Sequence, residues 1–127
     1  MNTPTPNHVP TMLLYGFTQK ELAAFRFLMR GFPGIRLFPV AEQDCGLHLN
    51  ALLEKQPDTS GGDPAAFSRH MLVFAHIPEP IVHPLITICK QATSEKVLKA
   101  MLTETNQNWT SRVLYENLLE EEAQLGR

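Results

Sequence analysis

The sequence predicts a small α/β domain of three layers, with helices on both faces of a mainly parallel four-stranded sheet. Three observations predict it. Short apolar runs alternate with segments of helical spacing along the chain. The composition, 43% hydrophobic and 19% charged over 127 residues, suits one soluble core. The order β-α-β-α occurs twice, which calls for right-handed crossovers and a strand order of 2-1-3-4 if the third strand lies beside the first.

Residues 1–10, with Pro4, Pro6 and Pro10 among polar neighbours, have no apolar period and are expected to form a flexible tail before a domain over 11–127. The run MLLYGF at 12–17 reads as a buried strand closed by Gly16. Thr18 with Glu21 three residues on is a capping box, and Leu22, Phe25, Leu28, Met29 and Phe32 then recur at helical spacing. Glycine and Pro33 stop that helix near 31–34. IRLFPV at 35–40 is a second strand with Pro39 at its end, and Leu47, Leu49, Leu52 and Leu53 mark a short helix.

Residues 56–69 combine two prolines with a Gly-Gly pair and read as a flexible linker. HMLVFAH at 70–76 is the third strand. The helix after it carries Ile81, Leu85, Ile86 and Cys89 on one face, and is expected to begin by Ile81 or kink at Pro84. VLKAML at 97–102 is the fourth strand. A last helix follows Trp109, with Leu114, Tyr115, Leu118, Leu119 and Leu125 as its buried stripe. Met12 to Gly16 align residue by residue with Met71 to Ala75, and Leu52 and Leu53 with Leu118 and Leu119, as in an internal pseudo-repeat.

Eleven basic against thirteen acidic residues give a net charge of −2, which offers nothing for phosphate neutralisation, so no nucleic-acid partner is expected. The apolar runs are far short of the roughly 20 residues that span a bilayer, and no signal-peptide pattern opens the chain, so a cytoplasmic location is expected. Cys45 and Cys89 are expected to be reduced thiols.

Ligands of open parallel sheets bind outside the carboxyl ends of the strands, which directs attention to Gly16, Phe17 and Thr18, to Glu42 and Asp44, to His76 and Glu79, and to the polar segment TETNQNW. In that segment Thr103, Glu104, Thr105, Asn106, Asn108 and Trp109 are ligand or partner candidates, with Thr18 beside them. The competing reading makes Asn106 or Asn108 a cap for the last helix and Trp109 a packing residue. His76 and Glu104 follow neighbouring strands and are the weak candidates for an acid-base pair. There is no G-x-S-x-G elbow around Ser60, Ser68, Ser94 or Ser111, and no glycine-rich phosphate loop. Tyr15 and Gly16 stand where a phospho-receiver would need acidic residues. Cys45 and His48 form one C-x-x-H pair without a second, so neither a metal nor a cofactor is expected.

The segments MLLYGFTQKEL and KAMLTETNQNWTSRVLYENLLEEE resemble a small bacterial domain family of unknown function, which has an opening strand closed by Gly and an aromatic, here Gly16 and Phe17. Its closing T-x-T-N-x-x-W is matched by Thr103, Thr105, Asn106 and Trp109. The resemblance implies a bacterial cytoplasmic protein and supplies no activity. A complete fold signal without a catalytic motif predicts a non-catalytic binding or protein-interaction module, as a homodimer or as an accessory subunit of a complex. The alternative is a small metabolite sensor or enzyme at the polar strand ends. Arg26 and Arg30 lie one turn apart on the first helix and Glu120, Glu121 and Glu122 crowd the end of the last. A basic face and an acidic end could therefore meet between copies. The outer strands are open to pairing unless something covers them.

Overall fold

The computed structural model describes residues 9–55 and 67–125. Most of the expected tail and most of the expected linker, Ser60 included, lie outside the described residues. The elements are β1 (Thr11–Tyr15), α1 (Gln19–Leu28), β2 (Arg36–Pro39), α2 (Leu49–Leu53), β3 (His70–Ala75), α3 (Glu79–Ala92), β4 (Val97–Met101) and α4 (Ser111–Leu125). Short 3-10 turns stand at Met29–Gly31, Glu42–Asp44 and Asn106–Asn108.

The sheet runs β2-β1-β3-β4, as the sequence predicts. It is mixed: β1 with β2 and β3 with β4 are parallel, but β1 and β3 pair antiparallel at the centre, Leu13 opposite Val73. Alternation along the strands feeds two cores. Leu13, Tyr15, Met71, Val73, Ala75 and Leu98 pack with α2 and α4 on one face. Met12, Leu14, Leu72, Phe74 and Val97 pack with α1 and α3 on the other. Three layers result.

Each half turns from strand into helix through a left-handed residue, Gly16 at φ 82° and His76 at φ 58°. Glycine takes that conformation freely and histidine only at a cost. Thr18 then caps α1 through its side chain, while Pro78 holds the N-cap position of α3 without a side-chain bond. The left-handed residue thus falls at Gly16 in the first half and at His76 in the second, one position past the Ala75 that the sequence alignment sets against Gly16. A one-residue slip exchanges the faces of a strand: Met12 faces α1 and α3, whereas Met71 faces α2 and α4. An isolated antiparallel bridge between His48 and Thr110 joins the starts of α2 and α4.

α3 begins at Glu79, by Ile81 as expected, and continues through Pro84. The prolines of its first turn sit where helical amides have no partner, and Pro84 forfeits only the bond to the Pro80 carbonyl. At the end of the expected linker, Phe67 stacks between Tyr15 and Tyr115, with centroids 5.6 and 4.1 Å away. Arg69 forms a two-pronged pair with Glu122 at 2.5 and 3.0 Å. These residues are part of the packed body.

Candidate functional site

The antiparallel centre divides the candidate residues between two ends of the sheet. β1 and β2 end beside the start of β3, while β3 and β4 end beside the start of β1. Thr18 therefore lies past the opposite end of the sheet from His76 and the start of the 103–109 segment, whereas the segment after β2 folds back over the α2/α4 face, where Glu42 pairs with Arg112 and the Leu49 amide bonds to the Trp109 carbonyl. The strand ends do not form one continuous binding edge.

In the 103–109 segment, the polar atoms of Asn106 are spent inside the turn. Its Oδ1 accepts from the Thr103 amide at 2.8 Å, its Nδ2 donates to the Met101 carbonyl at 2.9 Å, and its own amide donates to Thr103 Oγ1 at 3.0 Å. Asn106 is 7% exposed. It caps this turn and not α4, whose first turn is closed by Thr110, with Oγ1 accepting from the Val113 amide at 3.3 Å. Trp109 is half-buried against the α2/α4 core, and its carbonyl accepts from the Leu49 amide at 2.9 Å. Thr103, Glu104, Thr105 and Asn108 are exposed. His76 and Glu104 are both exposed, just past the ends of paired strands.

A histidine and a carboxylate do meet, elsewhere. His70 Nε2 lies 2.8 Å from Glu21 Oε1, and Thr93 Oγ1 donates to Glu21 Oε2 at 2.5 Å. The Thr18 amide donates to Oε1 at 2.8 Å, completing the capping box predicted from sequence. The His70 ring meets Phe17 edge to face at 4.6 Å. Burial pushes the Glu21 carboxyl up, but the bonds from Thr93, Thr18 and His70 outweigh it and hold the group below its ordinary value. In a nucleophilic triad the histidine sits between hydroxyl and carboxylate; here the carboxylate is in the middle and Thr93 has no base to activate it. The chain straps α1, β3 and the end of α3 together. No spacing signals it, because the partners come from three separate segments.

Beside Thr93, a shallow groove of about 270 Å³ runs between the end of α3 and the start of β4, with Lys90, Lys96 and Lys99 on its walls. Lys99 Nζ donates to the Val97 carbonyl at 3.1 Å, and Lys96 stands 4.0 Å from Glu122. Cys89 lines the groove and Cys45 lies in the opposite core, both reduced and buried; burial pushes the Cys45 thiol up to about 11. Among the described residues no three His, Cys, Asp or Glu side chains gather as a metal-binding group, and no helix is long and apolar enough to cross a membrane.

Both outer strands have part of their outward backbone groups blocked. The Leu102 amide bonds to Phe74 on β3, so residues 97, 99 and 101 turn their backbone groups to the open edge. There the Val97 carbonyl is taken by Lys99 and the Met101 carbonyl by Asn106. At the other edge the Val40 amide bonds inward to Leu14, which turns residues 37 and 39 outward, and Pro39 has no amide to offer.

The helical faces carry the exposed apolar groups and the charge. Along α1 and the 3-10 turn that follows it, Lys20, Ala23, Arg26, Phe27 and Arg30 form an exposed basic stripe without an exposed acidic residue. At its centre Phe27 is 57% exposed, with the Arg30 guanidinium 3.9 Å from its ring centroid. Sequence periodicity passes over Phe27 because it falls off the buried stripe of α1. On α4, Leu118 and Leu119 are only half-buried and Leu125 is 85% exposed, with Glu116, Glu120 and Glu121 exposed around them.

The fold and these surfaces define a small three-layer α/β protein with partly blocked sheet edges and oppositely charged helical faces. Its second half, residues 70–125, matches the model of a family described as a domain of unknown function (DUF3783), so the expected likeness to an uncharacterised domain family holds over β3 to α4. No curated protein and no solved structure matches the chain.

Proposed function

We propose that the protein is a bacterial, cytoplasmic, non-catalytic interaction module that binds a protein partner through its helical faces. The observation that carries this reading is Phe27, a large aromatic turned outward under an arginine on a helix whose opposite stripe is fully packed. Aromatic and arginine side chains dominate the energetics of protein interfaces, the aromatic ones because burying them removes much apolar surface at little entropic cost. The partly blocked sheet edges favour helices over strands as the docking elements. The polar turn at 103–109 supports it too, because Asn106 serves the fold.

Replacing Phe27 by a photo-cross-linking amino acid in host cells tests the reading. Irradiation is expected to yield a discrete protein adduct from position 27 and none from the exposed control position Gln91. Equal yields at the two positions would overturn it.

A further inference from the structure

We infer that the partner seated on the α1 face is a second copy of this chain, which inserts the acidic, apolar end of its α4. The inference rests on the reading of Phe27 as an interaction residue. Charge complementarity carries it: the exposed stripe of α1 and the turn after it presents Lys20, Arg26 and Arg30 around Phe27, and the exposed end of α4 presents Glu121 one turn before Leu125, with Glu120 next to Glu121 and Glu116 one turn before Glu120. Spacing agrees, for Arg30 likewise follows Phe27 by about one turn. Glu122 takes no part, since Arg69 holds both of its oxygens. Arg112, a basic residue of α4, is bound by Glu42.

α1 covers one face of the sheet and α4 the other. Each copy therefore presents its socket and its plug in opposite directions. The contact is head-to-tail and propagates, unlike the closed two-fold dimer that a self-complementary patch would give. Between exposed charges such a contact is weak and salt-sensitive.

Sedimentation velocity on the purified full chain tests it, over a low to high micromolar series at low salt. The weight-average mass is expected to rise continuously above the 14.3 kDa monomer without a dimer plateau, and to return to the monomer in high salt. Arg26→Glu with Arg30→Glu should abolish association, and so should Glu120→Lys with Glu121→Lys. Mixing the two variants should restore it, because each then offers the complement of the other. All four positions are exposed, and circular dichroism verifies folding. A monomer at every concentration, a salt-insensitive dimer, or a mixture that stays monomeric would overturn the inference; should a variant fail to fold, the salt series on the unmodified chain decides alone. A position-27 adduct whose mass is not that of two chains would retain the interaction surface and reject the second copy as its occupant.

Discussion

His70 Nε2 and Glu21 Oε1 lie 2.8 Å apart, joining the first residue of β3 to the first turn of α1. Glu21 also serves the capping box and holds Thr93, so one carboxylate connects three elements.

Glu21 therefore contributes pH-dependent stability. Its folded value lies below the ordinary 4.5, so the contribution is present above that pH and is lost as pH falls through the folded value. Glu21→Gln should destabilise the protein by about 1–2 kcal/mol near neutral pH. In urea denaturation the gap between parent and variant should narrow as pH drops below 4.5. A gap that stays constant into acid would show that the ionised form adds nothing.

Asn106→Ala removes an amide that closes the turn after β4, stranding the Thr103 amide and the Met101 carbonyl. The expected loss is about 2 kcal/mol, or a Tm lower by roughly 5–10 °C. Asn106→Asp keeps the acceptor for Thr103 and loses the donor to Met101, so its Tm should fall between the two in a thermal scan. An Asp variant as stable as the parent would remove the Met101 bond from this account.

Much of this fold is legible in the sequence because its signals are local. The Thr18–Glu21 box, the apolar runs of β1 and β3, and Pro39 at a strand end each follow from neighbouring residues. The direction of β3 against β1 does not, since a buried strand has the same apolar character whichever way it runs. That one undetermined direction moves Thr18 to the far end of the sheet from Asn106, and it brings His70 to Phe17 and Glu21. The segment 103–109 stands out by composition, yet composition cannot tell an amide turned into its own turn from one offered to a ligand. Phe27 is hidden for a related reason: periodicity finds the buried stripe of α1 and passes over an aromatic lying off it.

Tyr15 Oη and Ser111 Oγ are 2.7 Å apart in the α2/α4 core. Tyr15→Phe leaves the Ser111 hydroxyl buried without that partner and should cost about 1–2 kcal/mol. Adding Ser111→Ala should recover part of it, which a double-mutant cycle on denaturation free energies measures. Burial pushes the Tyr15 phenol well above its ordinary 10.0, so its contribution is intact below pH 10.0 and is lost at higher pH, where the unfolded chain ionises first. Parent and Tyr15→Phe should therefore converge in alkali; parallel alkaline profiles would place the burial cost elsewhere.

Lys99 guards the β4 edge. Its stem lies on the outer strand and its ammonium occupies the Val97 carbonyl, an acceptor that another strand would otherwise use. A lysine there also charges the edge, and a second copy approaching strand to strand would bring like charges together. Lys99→Val removes the charge and frees the acceptor while raising strand propensity. The monomer should remain folded, because the side chain is exposed and the core contacts of Val97 and Leu98 are untouched. Light scattering at elevated temperature should then show aggregation several-fold faster than in the parent. Lys90→Val, which loses the same charge from the same groove but from α3, serves as the control and should aggregate at the parental rate. The acceleration should persist in high salt, where charge-driven head-to-tail contacts dissolve. Equal rates for the two variants would mean that net charge, and not the occupied Val97 carbonyl, protects this edge.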